Sequence, residues 1–289
     1  MIAFTKRNLK LFFRDRSAVF FSLMAVFIVV GLYVLFLGDV WTGSLSELED
    51  ASTLMNCWIV AGLLIVTSVT TVLGALGVLV DDRALGMTKD FSTAPVKSGV
   101  LTMGYIVSTV CIGMVMSLVT LVLGEVFLYT QGASLLAPVK VLEVIGIVFL
   151  STLSNTAMLL FLVSFFKSTK AFGTASTIIG TLIGFLTGIY LPIGQLPDAV
   201  QTVVKCFPPS HSAALLRQIF MEDQLEISLA SIPAEYVAEY RQEFSEMMGV
   251  TYSFGEKTLE NWVSVVILLA AAVIFFALTI LVYGKRKTK

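Results

Sequence analysis

Apolar positions along the 289 residues gather into six long uncharged runs, at 18–37, 57–80, 101–124, 144–166, 171–191 and 262–283. The third reads on to about 128 and the fourth from about 142. Each reaches the roughly 20 residues a helix needs to cross about 30 Å of hydrocarbon. None shows the period-two alternation that a membrane barrel requires. The pattern predicts an all-α polytopic membrane protein of six transmembrane helices.

Shorter patterns fill the gaps between the runs. In residues 1–17, Ile2, Leu9, Phe12 and Phe13 share one arc of a helical wheel while Lys6, Arg7, Lys10 and Arg14 share another, which predicts an interfacial amphipathic helix. Phe4 and Leu11 break the arc. Residues 81–100 form an inner loop in which Ala84 to Asp90 suits a short helix ended by Pro95. A short outer loop places Trp41 for an interfacial belt. After the fifth run, 192–261 is the longest segment outside the spans. Pro192 is expected to end the fifth span. Pro197 then suits the first turn of a short helix, DAVQTVVKCF, that Pro208 and Pro209 stop, with Ser210 capping a second, HSAALLRQIFM. Two helices too short to cross predict a hairpin dipping back into the outer leaflet. The remainder, about Met221 to Glu260, reads as an acidic, partly helical outer cap, with Tyr236, Tyr240 and Phe244 at four-residue spacing.

Composition agrees with the membrane class, at 57% hydrophobic and 13% charged residues. The first run is too long for a signal peptide and no A-x-A-like cleavage site follows it, so it is read as a retained span. Charge adds the orientation. With both termini inside, cytoplasmic segments hold fourteen Lys and Arg against five outside, and ten acidic residues crowd the outer segment between Pro192 and Asn261. N-in and C-in is the expected topology. Cys57, Cys111 and Cys206 are too scattered for a disulfide framework or a metal knuckle.

The sequence offers little for catalysis. His211, its one histidine, falls outside the spans, and H-E-x-x-H, G-x-S-x-G and a Walker A loop are all missing. Glu125 and Glu143 are the carboxylates closest to membrane depth, each near an outer helix end where it can snorkel. The spans carry small and hydroxyl seams instead. Thr174, Thr177, Thr181, Gly184 and Gly188 share one face of the fifth span, and Gly180, Gly184 and Gly188 make a double G-x-x-x-G suited to helix packing. Thr67, Thr70, Thr71 and Gly74 repeat the idea on the second span, and Ser151, Ser154 and Asn155 on the fourth. Packing and the lining of a path are both open to these seams.

The helix reading I-G-F-L-T-G-I, followed by Leu196-Pro197, Pro208, Ser210, His211 and Arg217, resembles the signature of ABC (ATP-binding-cassette) type-2 export permeases. Topology, N-terminal helix and the inner loop DDRALGMTKDFSTAPVKSG are similar to that family as well, so the resemblance spans nearly all of 1–289 as one transmembrane domain. It implies a half-transporter in the cell membrane, of bacterial cytoplasmic type. Two such subunits, identical or paralogous, would form one export path driven by two copies of a separate ATPase that binds ATP and Mg. No cofactor in this chain and no nucleic-acid partner are expected. By the same resemblance, Arg83, Gly86, Met87, Lys89 and Asp90 would couple to the ATPase, Thr67, Thr70, Thr71, Thr174, Thr177 and Thr181 would line the path, and Leu196, Pro197, Pro208, His211 and Arg217 would belong to an outer gate. The expected cargo is hydrophobic or amphipathic: a drug, antibiotic, peptide or lipid. Competing expectations are a proton- or ion-coupled multidrug carrier using Glu125 or Glu143, a polysaccharide or glycolipid exporter of the same family, and a non-transporting scaffold whose cap binds an outer partner.

Overall fold

A computed structural model describes residues 1–33, 45, 47–87, 98–255 and 257–287. The described residues form ten α-helices: α1 (Ile2–Arg14), α2 (Arg16–Leu32), α3 (Ala51–Ala84), α4 (Ser98–Thr130), α5 (Pro138–Val163), α6 (Thr169–Leu186), α7 (Asp198–Cys206), α8 (Pro208–Ser228), α9 (Val237–Met247) and α10 (Asn261–Lys287). Five of them, α3, α4, α5, α6 and α10, are long and apolar enough to cross a membrane. A sixth crossing counts α1 and α2 together, two helices bent by 72°. The Asp15 carboxylate makes the bend by capping α2, accepting from the Ala18 amide at 3.0 Å. Trp41 lies outside the described residues, as do Lys89, Asp90 and Pro95.

The protomer is built around α3. This helix packs against α2, α4, α5, α6 and α8, and Leu54, Leu64, Ile65, Val69 and Leu76 on it are sealed from solvent. A helix buried all round cannot be amphipathic, which is why its sequence shows hydroxyls on several sides. Those hydroxyls cross-link the bundle: Ser68 meets Thr152 at 3.2 Å, and Asn155 donates to Ser68 at 3.0 Å and to Ser151 at 3.2 Å. Interhelical bonds of this kind add modestly to membrane packing. By contrast α6 touches chiefly α3 and leaves most of its surface open.

The outer segment departs from expectation in several places. Pro192 does not end the fifth span. That span ends at Leu186, and Gly188 at φ +69° turns the chain through the left-handed region, with the Ile189 amide bonded back to the Gly184 carbonyl at 2.9 Å. The helix after Pro197 does stop ahead of Pro208, with Phe207 extended, and Pro208 and Pro209 also occupy the first turn of α8, where the missing amide donor costs nothing. Ser210 is not a cap. Its hydroxyl donates to the Val204 and Phe207 carbonyls and locks the α7–α8 turn. Met221 to Ser228, read as part of the cap, are the last two turns of α8. The cap itself consists of α9 and a small hairpin, β1 (Ser253–Phe254) paired with β2 (Lys257–Thr258).

Close packing at the centre yields a stability test. A Cβ added to Gly113 on α4 would come within 2.6 Å of Thr152 on α5 and 3.1 Å of Val72 on α3, so no side chain fits where these three helices meet. Gly113→Val is expected to cost about 1–3 kcal/mol of stability by overpacking. Gly99→Ala, at a position open to space, is expected to leave stability within roughly 0.5 kcal/mol. Thermal unfolding in detergent, followed by tryptophan fluorescence, measures both.

Candidate functional site

Two polar assemblies stand out, one at each end of α3. At the outer end, Arg217 on α8 is wholly buried. Its Nη2 donates to the carbonyls of Thr187 and Gly188 at 2.9 and 3.1 Å, and its Nη1 to that of Gly249 at 3.3 Å. The guanidinium lies 4.8 Å from the centre of the Trp58 ring, within cation–π range. Burial lowers its pKa, yet an arginine remains a cation at neutral pH. Its negative partners are backbone dipoles: two of the three carbonyls close the C-terminus of α6, where the helix macrodipole is negative. Gly188 and Gly249 both adopt positive φ, and a Cβ on Gly249 would come within 3.0 Å of Arg217 Nη1. Glycine is needed there for the turn and for the approach alike. Trp58 completes the joint by donating its indole N–H to the Met248 carbonyl at 2.8 Å.

His211 sits one and a half turns earlier on α8, also buried. Its Nε2 lies 2.8 Å from the Lys205 carbonyl, which can only accept, so Nε2 carries the proton and Nδ1 accepts from the Ser264 hydroxyl at 3.0 Å. The ring therefore ties α7 to α8 and both to α10. Tyr252 of the cap stacks edge-on against it at 5.4 Å and donates to the Ser210 carbonyl at 3.1 Å. Desolvation lowers the His211 pKa. Of the other signature positions, Leu196 is half-buried, Pro197 is exposed at the start of α7, and Pro208 is half-buried at the start of α8. Val203 on α7 is open in the isolated protomer, whereas Leu215 on α8 is buried.

At the inner end, Asp82 is nearly sealed, and Arg7 of α1 grips it with two bonds of 2.7 Å. Tyr105 on α4 donates to the same carboxylate, and Asn8 reaches Ser108 at 3.2 Å. Phe4, which broke the predicted apolar arc, packs edge-on against Tyr105 at 4.9 Å and over Gly104. The face of α1 turned to the protein is Phe4, Asn8 and Phe12, while Ile2 and Phe13 stay exposed. Arg83 donates to the Val163 carbonyl at 3.1 Å, joining α3 to the last turn of α5. Ala84 closes α3 and Gly86 at φ +76° redirects the chain, so Ala84 ends a span rather than opening an inner helix, and the rest of the expected helix, 88–90, lies outside the described residues. The Met87 sulfur accepts from Arg7 at 3.6 Å.

The structure divides the six threonines. Thr67 and Thr71 are buried inside the protomer, Thr67 accepting from Thr120 at 3.3 Å, so they face packed helices and not an open surface. Thr70 is half-buried. Thr174, Thr177 and Thr181 are exposed on the open face of α6, each donating to the carbonyl four residues back. Nor do the three glycines act alike. Gly180 meets nothing, Gly184 is filled by the Tyr190 ring, and Gly188 lies past the helix end, so the close approaches come from the chain's own return. Glu125 accepts the Leu136 amide at 3.0 Å and steadies the α4–α5 loop, while Glu143 lies exposed on α5. No cluster that could hold a metal occurs among the described residues.

Two tests address the outer assembly. Arg217→Met leaves the three carbonyls without a buried donor and is expected to cost about 3 kcal/mol, read as faster proteolysis of the cap. The second concerns pH. The folded protein holds its His211 proton more weakly than the unfolded chain does, so the stability the ring contributes is full above about pH 6.5 and is lost as pH falls from there through the lowered value. Thermal unfolding across that window is expected to drop in the native chain and to flatten in His211→Gln.

A family model described as ABC-2 type transporter matches residues 1–221, taking in both polar assemblies up to and including Arg217. No curated protein matches the chain.

Proposed function

The chain belongs to the ABC-2 type transporter family, and from this membership we propose that it is the membrane half of an ATP-driven exporter of hydrophobic or amphipathic molecules. As a permease of an ABC transporter it is a transport module and not a catalyst. In this reading two copies of a cytoplasmic ATPase dock at the inner assembly, and a second permease subunit, identical or paralogous, covers the open face of α6. Nucleotide biases the pair between inward- and outward-open states through its different affinity for each.

The open face of α6 carries the proposal. A membrane helix that packs chiefly against α3 among the described residues, exposing Thr174, Thr177 and Thr181 beside Ile178 and Leu182, is an incomplete structure. Each of those hydroxyls has spent its proton on the backbone, leaving only acceptor lone pairs on an apolar wall. Such a surface suits an amphipathic cargo that donates a few hydrogen bonds. Thr70 and these three are the path residues of this proposal, with α7 and α8 as its outer gate. An ion-coupled carrier gains little here, because Glu125 is engaged by the Leu136 backbone amide and neither it nor Glu143 belongs to α6.

For coupling, the reading assigns the grip of Arg7 on Asp82 as the joint by which an ATPase under α1 and the 81–100 loop moves α3. Arg83, Gly86 and Met87 surround that joint, and Lys89 and Asp90 follow in the loop. Co-expression with a cognate ATPase is expected to give a complex that hydrolyses ATP in response to cargo. Asp82→Asn should cut that stimulation roughly tenfold, the weight of one charge-assisted hydrogen bond, and the swap Arg7→Asp with Asp82→Arg should restore part of it. Transport by the chain without any ATPase would sink the proposal, and stimulation untouched by Asp82→Asn would remove the coupling assignment alone.

A further inference from the structure

The outer ends of α5, α8 and α10 do not close on one another. α5 and α10 pack side by side deeper in the bundle, where the Phe161 and Phe275 rings stand 5.7 Å apart. Towards the outside they part, and a cleft of about 730 Å³ opens between them, floored by α8 and roofed by the cap. Gly146 on α5 widens it, since a Cβ there would meet nothing within 4 Å.

The cleft is graded along the membrane normal. Ile147 and Leu150 lie about 14 and 18 Å along α5 from Pro138 at 1.5 Å per residue, which with the polar boundary near the start of α5 would be the depth of acyl chains in the outer leaflet. With Leu215 and Val265 they make an apolar floor. Glu143, about 8 Å along the helix, stands on the rim with Arg241 of the cap. The rim carries three charged side chains, Arg241, Glu143 and Glu222, and the Glu222 carboxylate is already paired with Lys140 at 2.9 Å. Arg241 commits one nitrogen to Glu226 at 2.8 Å, and Glu143 forms no ion pair among the described residues.

We propose that this cleft is a binding site for one outer-leaflet phospholipid with an ammonium headgroup, its phosphate at Arg241, its ammonium at Glu143 and part of an acyl chain on the floor. Apolar depth beneath a rim of both signs complements a zwitterionic amphiphile and no simple ion or sugar. The volume lies within the range of about 300–1,000 Å³ usual for small-molecule sites, enough for a headgroup and a length of chain. The lipid seats the cap on the fourth and sixth spans, at a place separate from the open face of α6, so the site stands whether or not that face carries cargo.

The test uses the full chain in nanodiscs of phosphatidylethanolamine and phosphatidylglycerol, released into native mass spectrometry. One phosphatidylethanolamine per chain is expected to survive release from the native protein. Gly146→Phe, which fills the cleft, should lower its occupancy about tenfold, and Glu143→Gln should reduce the preference for ethanolamine over glycerol headgroups by about the same factor. Should Gly146→Phe fail to fold, Val265→Trp blocks the floor from α10 and is read by the same count. Occupancy unchanged in the folded filling variant overturns the site, and equal retention of the two lipids by the native chain overturns the headgroup assignment.

Discussion

A guanidinium without a carboxylate holds the outer half of this protein together. Arg217 is sealed from solvent, and three carbonyls with one indole face stand in for a counter-ion. An isolated charge in such a place costs several kcal/mol, and it persists only where every contact is in position at once. The end of α6, the turn after α9, the face of Trp58 and the axis of α8 are therefore mutually constrained. Moving any one of them strands a cation or a carbonyl.

The inner end of the same long helix is constrained by an acid. Asp82 of α3 collects Arg7 from α1 and Tyr105 from α4, so each end of α3 is held by an arginine from another helix, Arg217 over Trp58 and Arg7 on Asp82. Trp58 and Asp82 are separated by about 36 Å of continuous helix at 1.5 Å per residue. A tightly packed rod of that length transmits displacement better than it bends. The inner joint therefore has a mechanical route to the outer one that passes through no loop.

Much of the architecture was legible because membrane helices announce themselves by length and apolarity, and α7 by the amphipathic run after Pro197. What escaped the sequence depended on partners distant along the chain. Gly249 lies 32 residues beyond Arg217, and nothing local marks its carbonyl as a ligand, although a glycine after the α9 pattern signals a helix end. Pro192 drew attention as a helix breaker, while Gly188, whose backbone actually reverses the chain, looked like part of a packing seam. A hydroxyl stripe fixes one face of a helix but not its neighbour. Thr67 and Thr71 proved to face α4 and the interior, and Thr174 with its companions the open side. Phe4 spoiled an apolar arc drawn for lipid because its true partner is Tyr105.

The early end of α6 has its own effect. Eighteen residues give a rod of about 27 Å, enough to cross but a little under the roughly 30 Å of an average hydrocarbon slab, whereas α3, α4, α5 and α10 all exceed that thickness. A helix too short for its slab draws the two aqueous faces together beside it or borrows cover from a neighbour. Along this flank the dielectric barrier is at its thinnest, and a polar headgroup passing there would spend the least distance out of water.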